Sequence, residues 1–125
     1  MEDTDPEAAR AAYERALELD PELGDAYVNL GRLAHQAGDP TTAARCYHHA
    51  LRFDNRDPVT HYNLALALDD LDRSSEALAH YTRAVTLNPR FADAHYNLGQ
   101  LLDRLGRNAE ALRHMLRYRQ LVRRR

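Results

Sequence analysis

Seven histidines, a single cysteine and a recurring asparagine are the residues of this 125-residue chain whose types could do chemistry. Histidine offers a metal ligand or a general base that titrates near neutral pH. A zinc or metalloprotease site wants two histidines one helical turn apart with a carboxylate, or a pair of thiols at close spacing. His48 and His49 are adjacent and so point different ways on a helix, and none of the other histidines forms such a pair. Cys46 has no second thiol, which also excludes a disulfide within the chain. There is no glycine-rich phosphate loop and no nucleophile elbow. The expectation is a chain that is not an enzyme and binds neither metal nor cofactor.

Asn29, Asn63 and Asn97 stand apart because they recur at a fixed interval of 34 residues. An asparagine amide both donates and accepts, so a row of them can bracket a peptide backbone whatever its side chains. Each such bond contributes about 0.5–1.5 kcal/mol net.

A row of asparagines needs a row of like elements to carry it. Tyr27-Val28-Asn29-Leu30-Gly31 returns as His61-Tyr62-Asn63-Leu64-Ala65 and again as His95-Tyr96-Asn97-Leu98-Gly99. Ala9, Ala43, Ala77 and Ala111 share one phase, Ala16, Ala50 and Ala84 another, and Asp5-Pro6 returns as Asp39-Pro40. Within a unit, Tyr27, Leu30, Leu33, Ala34 and Ala37 run at helical spacing, as do Ala43, Ala44, Tyr47, Ala50 and Leu51. Between them Gly38 suits a left-handed helix end, Asp39 a cap and Pro40 a first helical position. The chain opens on similar signals, Asp5 before Pro6 and Thr4 with Glu7 as a capping box. Asn55 stands where Pro21 and Pro89 stand, so Pro58 is expected to stop that helix instead. Asp72 replaces the turn glycine, at a cost wherever φ must be positive. His61 and His95 take the phase of Tyr27 as packing residues, while His80 and His114 are expected on the outer face of second helices.

Two helices of about 14 residues in each 34-residue unit, with this order of aromatic, Leu-Gly, small alanines and closing proline, resemble the tetratricopeptide repeat family. The resemblance covers essentially the whole chain as one domain, with a lone helix in 1–23 and full repeats in 24–57, 58–91 and 92–125. It implies an all-α fold, a right-handed α-solenoid of antiparallel helix pairs. First helices would line a concave groove that binds an extended peptide or a helix of a partner protein. The family's ligand positions fall on Asp25, Val28, Asn29, Arg32, His35 and Gln36 in the first repeat. They fall on Val59, Tyr62, Asn63, Leu66, Asp69 and Asp70 in the second, and on Asp93, Tyr96, Asn97, Gln100, Asp103 and Arg104 in the third.

Tyr62 and Tyr96 would set amphipathic rings beside the asparagines. Asp69, Asp70 and Asp103, with Asp93, would make the second half of the groove acidic, which suits a basic partner. Family members that clamp a terminal carboxylate use lysine at the fifth position and asparagine at the ninth. Val28, Tyr62 and Tyr96, and Arg32, Leu66 and Gln100, occupy those places, so a carboxylate-terminated tail is not the expected ligand. Tyr118 replaces the small residue of Ala16, Ala50 and Ala84 and is read as an improvised cap on the last repeat.

Net charge is −2, but the charges are polarised. Met1 to Asp25 hold nine acidic residues against two arginines, and Arg104 to Arg125 hold eight arginines against Glu110. A solenoid keeps such ends apart, which raises self-association through its ends as a second function. A third possibility is service as the interaction module of a larger bacterial regulatory protein. The bacterial element rests on the use of arginine for all 17 basic residues. The arginine run Arg113, Arg117, Arg119, Arg123, Arg124 and Arg125 is favourable at a helix C-terminus without nucleic acid or membrane as partner. The single cysteine, with neither a membrane-length apolar run nor a signal-peptide pattern, makes the cytoplasm the expected location. No small-molecule substrate is expected.

Overall fold

A computed structural model describes residues 5–123, which form seven α-helices and, among the described residues, no strand. They are α1 (Pro6–Leu19), α2 (Gly24–Gln36), α3 (Pro40–Phe53), α4 (Pro58–Asp70), α5 (Ser74–Leu87), α6 (Ala92–Arg104) and α7 (Asn108–Arg123). The helix starts have visible causes. Asp5, Asp39 and Asp57 each accept a backbone N–H of the first turn, from Glu7, Thr42 and Val59, ahead of a proline that has no N–H to lose. Thr4, the other half of the expected capping box, lies outside the described residues.

The hairpin turns repeat as faithfully as the residues. Gly38, Asp72 and Gly106 all take positive φ, at 83°, 58° and 78°. In each turn the next residue's N–H reaches back to a last-turn carbonyl: Asp39 to Ala34, Arg73 to Leu68, Arg107 to Leu102. Asp72 therefore does adopt the left-handed conformation, at a cost of about 1 kcal/mol. Pro58 corrects an expectation. Helix α3 ends at Phe53, where Asp54 closes it on the Ala50 carbonyl, and Pro58 opens α4 rather than stopping α3.

Consecutive helices pack through alanine and glycine where backbones approach. A Cβ on Gly31 would lie 2.6 Å from the Tyr47 ring, and one on Gly99 would lie 2.7 Å from the Met115 sulfur. The dense core belongs to the later repeats, where Leu64, Leu68, Tyr81, Leu98 and Leu101 are sealed, whereas α1 buries none of its residues fully. On α7 the Tyr118 ring lies 5.0 Å from that of Tyr96. The expected all-α solenoid is the fold observed. No described helix is long and apolar enough to cross a membrane.

Candidate functional site

First helices α2, α4 and α6 carry the three asparagines, and three polar contacts tie one first helix to the next. The His35 imidazole lies 2.6 Å from the Asp70 carboxylate, Asn97 donates to the Tyr62 hydroxyl at 2.9 Å, and Arg104 grips Asp69 with two N–H groups at 2.7 and 3.3 Å. Each contact joins a residue to the one 35 positions later. Because the repeat is 34, adjacent first helices meet one residue out of register.

These ties divide the expected ligand residues. Asp69 belongs to an ion pair with Arg104 and Asp70 to a hydrogen bond with His35, so Asp93 and Asp103 remain as the exposed carboxylates of the second half without a partner in the next repeat among the described residues. His35 is likewise taken up by Asp70. Tyr62 is half-buried, its ring 4.9 Å from Phe91 and 6.0 Å from Tyr81; burial, then the charge of Asp93, pushes its phenol up in pKa. Tyr96 keeps 39% of its surface exposed. Val28 and Leu66 pack against the core as partly buried side chains. Beneath the Asp69–Arg104 pair, the Tyr81 hydroxyl is buried without a hydrogen-bond partner among the described residues.

The asparagines are not equivalent. Asn29 donates to the Asp25 carbonyl at 2.9 Å and Asn97 to the Asp93 carbonyl at 3.0 Å, each one turn back on its own helix. Asn97 spends its second N–H on Tyr62, leaving only its oxygen for a ligand. Asn63 forms no such bond among the described residues and keeps both functions. It borders a depression of about 210 Å³ shared with Arg32, His35, Gln36 and Tyr47. A second depression of about 270 Å³ adjoins it, also reaching Arg32 and Gln36 and extending to Asn29 and Tyr13. The open part of this face is therefore its first half. Gln100 and Asp103 line a separate cleft against α7.

Tyr13 and Tyr47 were not legible as site residues, because they sit on second-type helices while the family's positions all fall on first helices. Tyr47 is 1% exposed, and burial pushes its phenol up to about 12, so the hydroxyl stays protonated on the floor of the depression.

The histidines overturn one expectation. His80 and His114 are not solvated on an outer face; both are half-buried, and each meets a first-helix histidine. The His61 and His80 Nδ1 atoms are 3.0 Å apart, and so are those of His95 and His114. His61 Nε2 lies 2.8 Å from the Asn55 carbonyl and His95 Nε2 2.9 Å from that of Pro89. A carbonyl only accepts, so those Nε2 atoms carry a hydrogen, and each Nδ1–Nδ1 contact holds one further hydrogen between its two rings. Burial foremost, then repulsion from His61 and His48, depresses His80 to about 4. His95 and His114 are also lowered, again chiefly by burial. The signal was present in the sequence as the same 19-residue separation in two repeats. Among the described residues no group of three or more His, Cys, Asp or Glu is placed to hold a metal ion.

Comparison with known proteins places this geometry. The family profile described as tetratricopeptide repeat matches residues 1–58 and 62–123. A search of curated proteins finds no match. A crystal structure of MamA superposes with a TM-score of 0.89 at 26% identity, covering 94% of this chain and 68% of that one. The MamA 41-end structure from Desulfovibrio magneticus RS-1 gives 0.87 at 21% identity, over 97% and 68% of the two chains. YrrB, described as a TPR protein with an unusual peptide-binding site, gives 0.86 at 29% identity, over 93% of this chain and 60% of its own.

Proposed function

The chain belongs to the tetratricopeptide repeat family, and from that premise we propose that it is a protein-interaction scaffold whose ligand is an extended peptide lying along the first helices. The observation that carries this reading is the pair of adjoining depressions that share Arg32 and Gln36 and reach Asn29 and Asn63. Asn63 supplies a donor and an acceptor to a peptide backbone, Asn29 and Asn97 supply further acceptors, and Tyr47 supplies a neutral hydroxyl. YrrB, similar over 93% of this chain, is a peptide-binding protein of the same fold, which supports the class of ligand. The charge preference follows position. Arg32 is exposed in the first half, and Asp93 and Asp103 are exposed in the second. The peptide should thus be acidic where it crosses α2 and basic where it crosses α6.

Calorimetric titration with peptides of that pattern and of the reverse pattern tests the reading. Arg32→Glu together with Asn63→Ala should weaken the preferred peptide at least tenfold, the equivalent of about 1.4 kcal/mol. Unchanged affinity in that double variant would sink the groove assignment.

A second reading, association through the ends, is favoured by Leu112 and Leu116, which are 59% and 46% exposed on α7 beside a cleft of about 290 Å³. Light scattering across protein concentration and salt decides it, and a monomer under every condition removes it.

A further inference from the structure

On another flank of α2 from the one carrying Asn29, Arg32 and Gln36, helices α1, α2 and α3 surround a cavity of about 260 Å³. Its floor is Leu30, Leu33, Ala34 and Ala37, and the Cys46 thiol stands on its α3 wall. The repeat explains why it is there. Leu68 and Leu102 occupy the phase of Ala34, and Leu71 and Leu105 that of Ala37. In the later repeats the leucines at the Ala34 phase close the space: Leu68 is 0% and Leu102 2% exposed, over Leu64 and Leu98 at 0% and 1%, while Leu71 is partly buried and Leu105 exposed. In the first repeat the alanines leave it open, and Leu30 is only partly covered.

We propose that this cavity is a binding site for a small uncharged apolar molecule, an aliphatic or aromatic group of the bulk that leucine supplies in the sister repeats. Close-packed interiors leave few voids larger than a water molecule, and a cavity of about 150 Å³ lined by such side chains takes up benzene. The rim argues against an anionic head. Its lining sets one cation, Arg10, against two carboxylates, Glu14 and Asp39, and the Asp39 carboxylate already caps α3 through the Thr42 N–H at 3.1 Å. The site shares only Leu33 with the lining of the peptide groove, and none of Asn29, Arg32 or Asn63.

Cys46 is the chain's only thiol and so reports occupancy directly. Burial foremost pushes it up in pKa, so it reacts as a slow thiol whose alkylation by iodoacetamide can be timed. Indole at ten times its dissociation constant should slow that alkylation about tenfold, in a saturable manner, by mass action. Ala34→Leu, which imports the residue of the sister repeats, should abolish the protection by indole and raise Tm. If Ala34→Leu fails to fold by circular dichroism, Ala37→Leu is read in its place with the same expectation. An alkylation rate indifferent to indole in the wild type overturns the site. So does protection that never saturates, or equal protection in a folded leucine variant.

Discussion

Leu30 and Leu64 hold the same place in successive repeats, yet Leu64 is fully buried and Leu30 only partly. The difference between the two hairpins lies in their first helices: α4 buries six residues and α2 two, while α3 and α5 bury four each. Where the later hairpins set a histidine pair, the first has Tyr27 and Cys46, and the Tyr27 ring turns instead to His49 at 5.0 Å and Phe53 at 6.2 Å. At the phases of Ala34 and Ala37 the later hairpins have leucine, and there the first has a cavity. Repeat register fixes which way a side chain points; the neighbours on either side decide how much water it loses. The comparison teaches that the later repeats hold a packed core while the first keeps open depressions.

The sharpest way to break that comparison is truncation. Leu64→Ala should cost about 3–4 kcal/mol, because a sealed leucine leaves a cavity behind, whereas Leu30→Ala should cost about 1 kcal/mol. Equal losses in urea unfolding would mean that the two ends are equally packed.

Close backbone approach comes next. Gly31→Val drives a branched side chain into the Tyr47 ring and should cost about 2 kcal/mol. The sister position already holds Ala65, fully buried, so Ala65→Gly should cost only about 1 kcal/mol, by cavity and backbone entropy. Thermal melts of both variants measure the difference.

Acid should loosen the later repeats before the first. His80 titrates near 4 in the folded chain against an ordinary 6.5, so between these values the unfolded chain binds the proton that the folded chain refuses. Stability is then full above 6.5 and falls as pH drops towards 4. The loss from this residue is on the order of 2 kcal/mol after allowance for partial exposure. Unfolding followed across pH checks this, and importing the first repeat's residues, His61→Tyr with His80→Cys, should flatten the acid limb. An unaltered limb would place the titration elsewhere.

The smallest effect is expected at Tyr81. Its buried hydroxyl has no partner among the described residues, so Tyr81→Phe should stabilise by about 1 kcal/mol. A destabilised variant would reveal a bond from that hydroxyl to the Asp69–Arg104 pair or to water.

Much of the molecule was legible beforehand. The 34-residue agreement of Ala, Leu-Gly and Asp-Pro positions dictated the helix pairs, and Gly38, Asp72 and Gly106 dictated their turns, because backbone conformation is decided by residues a few positions apart. The candidate site was only partly legible. Register put Asn29, Asn63 and Asn97 on first helices, but whether an amide faces a ligand or its own helix depends on what stands across from it.

By itself, then, the sequence determined the repeat and the all-α class, since these follow from local periodicity and capping. Tertiary structure alone decided that Asp69 and Asp70 contact Arg104 and His35 in the adjoining repeats, that His61 and His95 bond to His80 and His114, and that Ala34 and Ala37 leave a cavity. Each of these outcomes depends on distances between side chains of different helices. A one-residue offset between adjacent repeats sets the two aspartate contacts, and the volume of alanine against that of leucine sets the cavity.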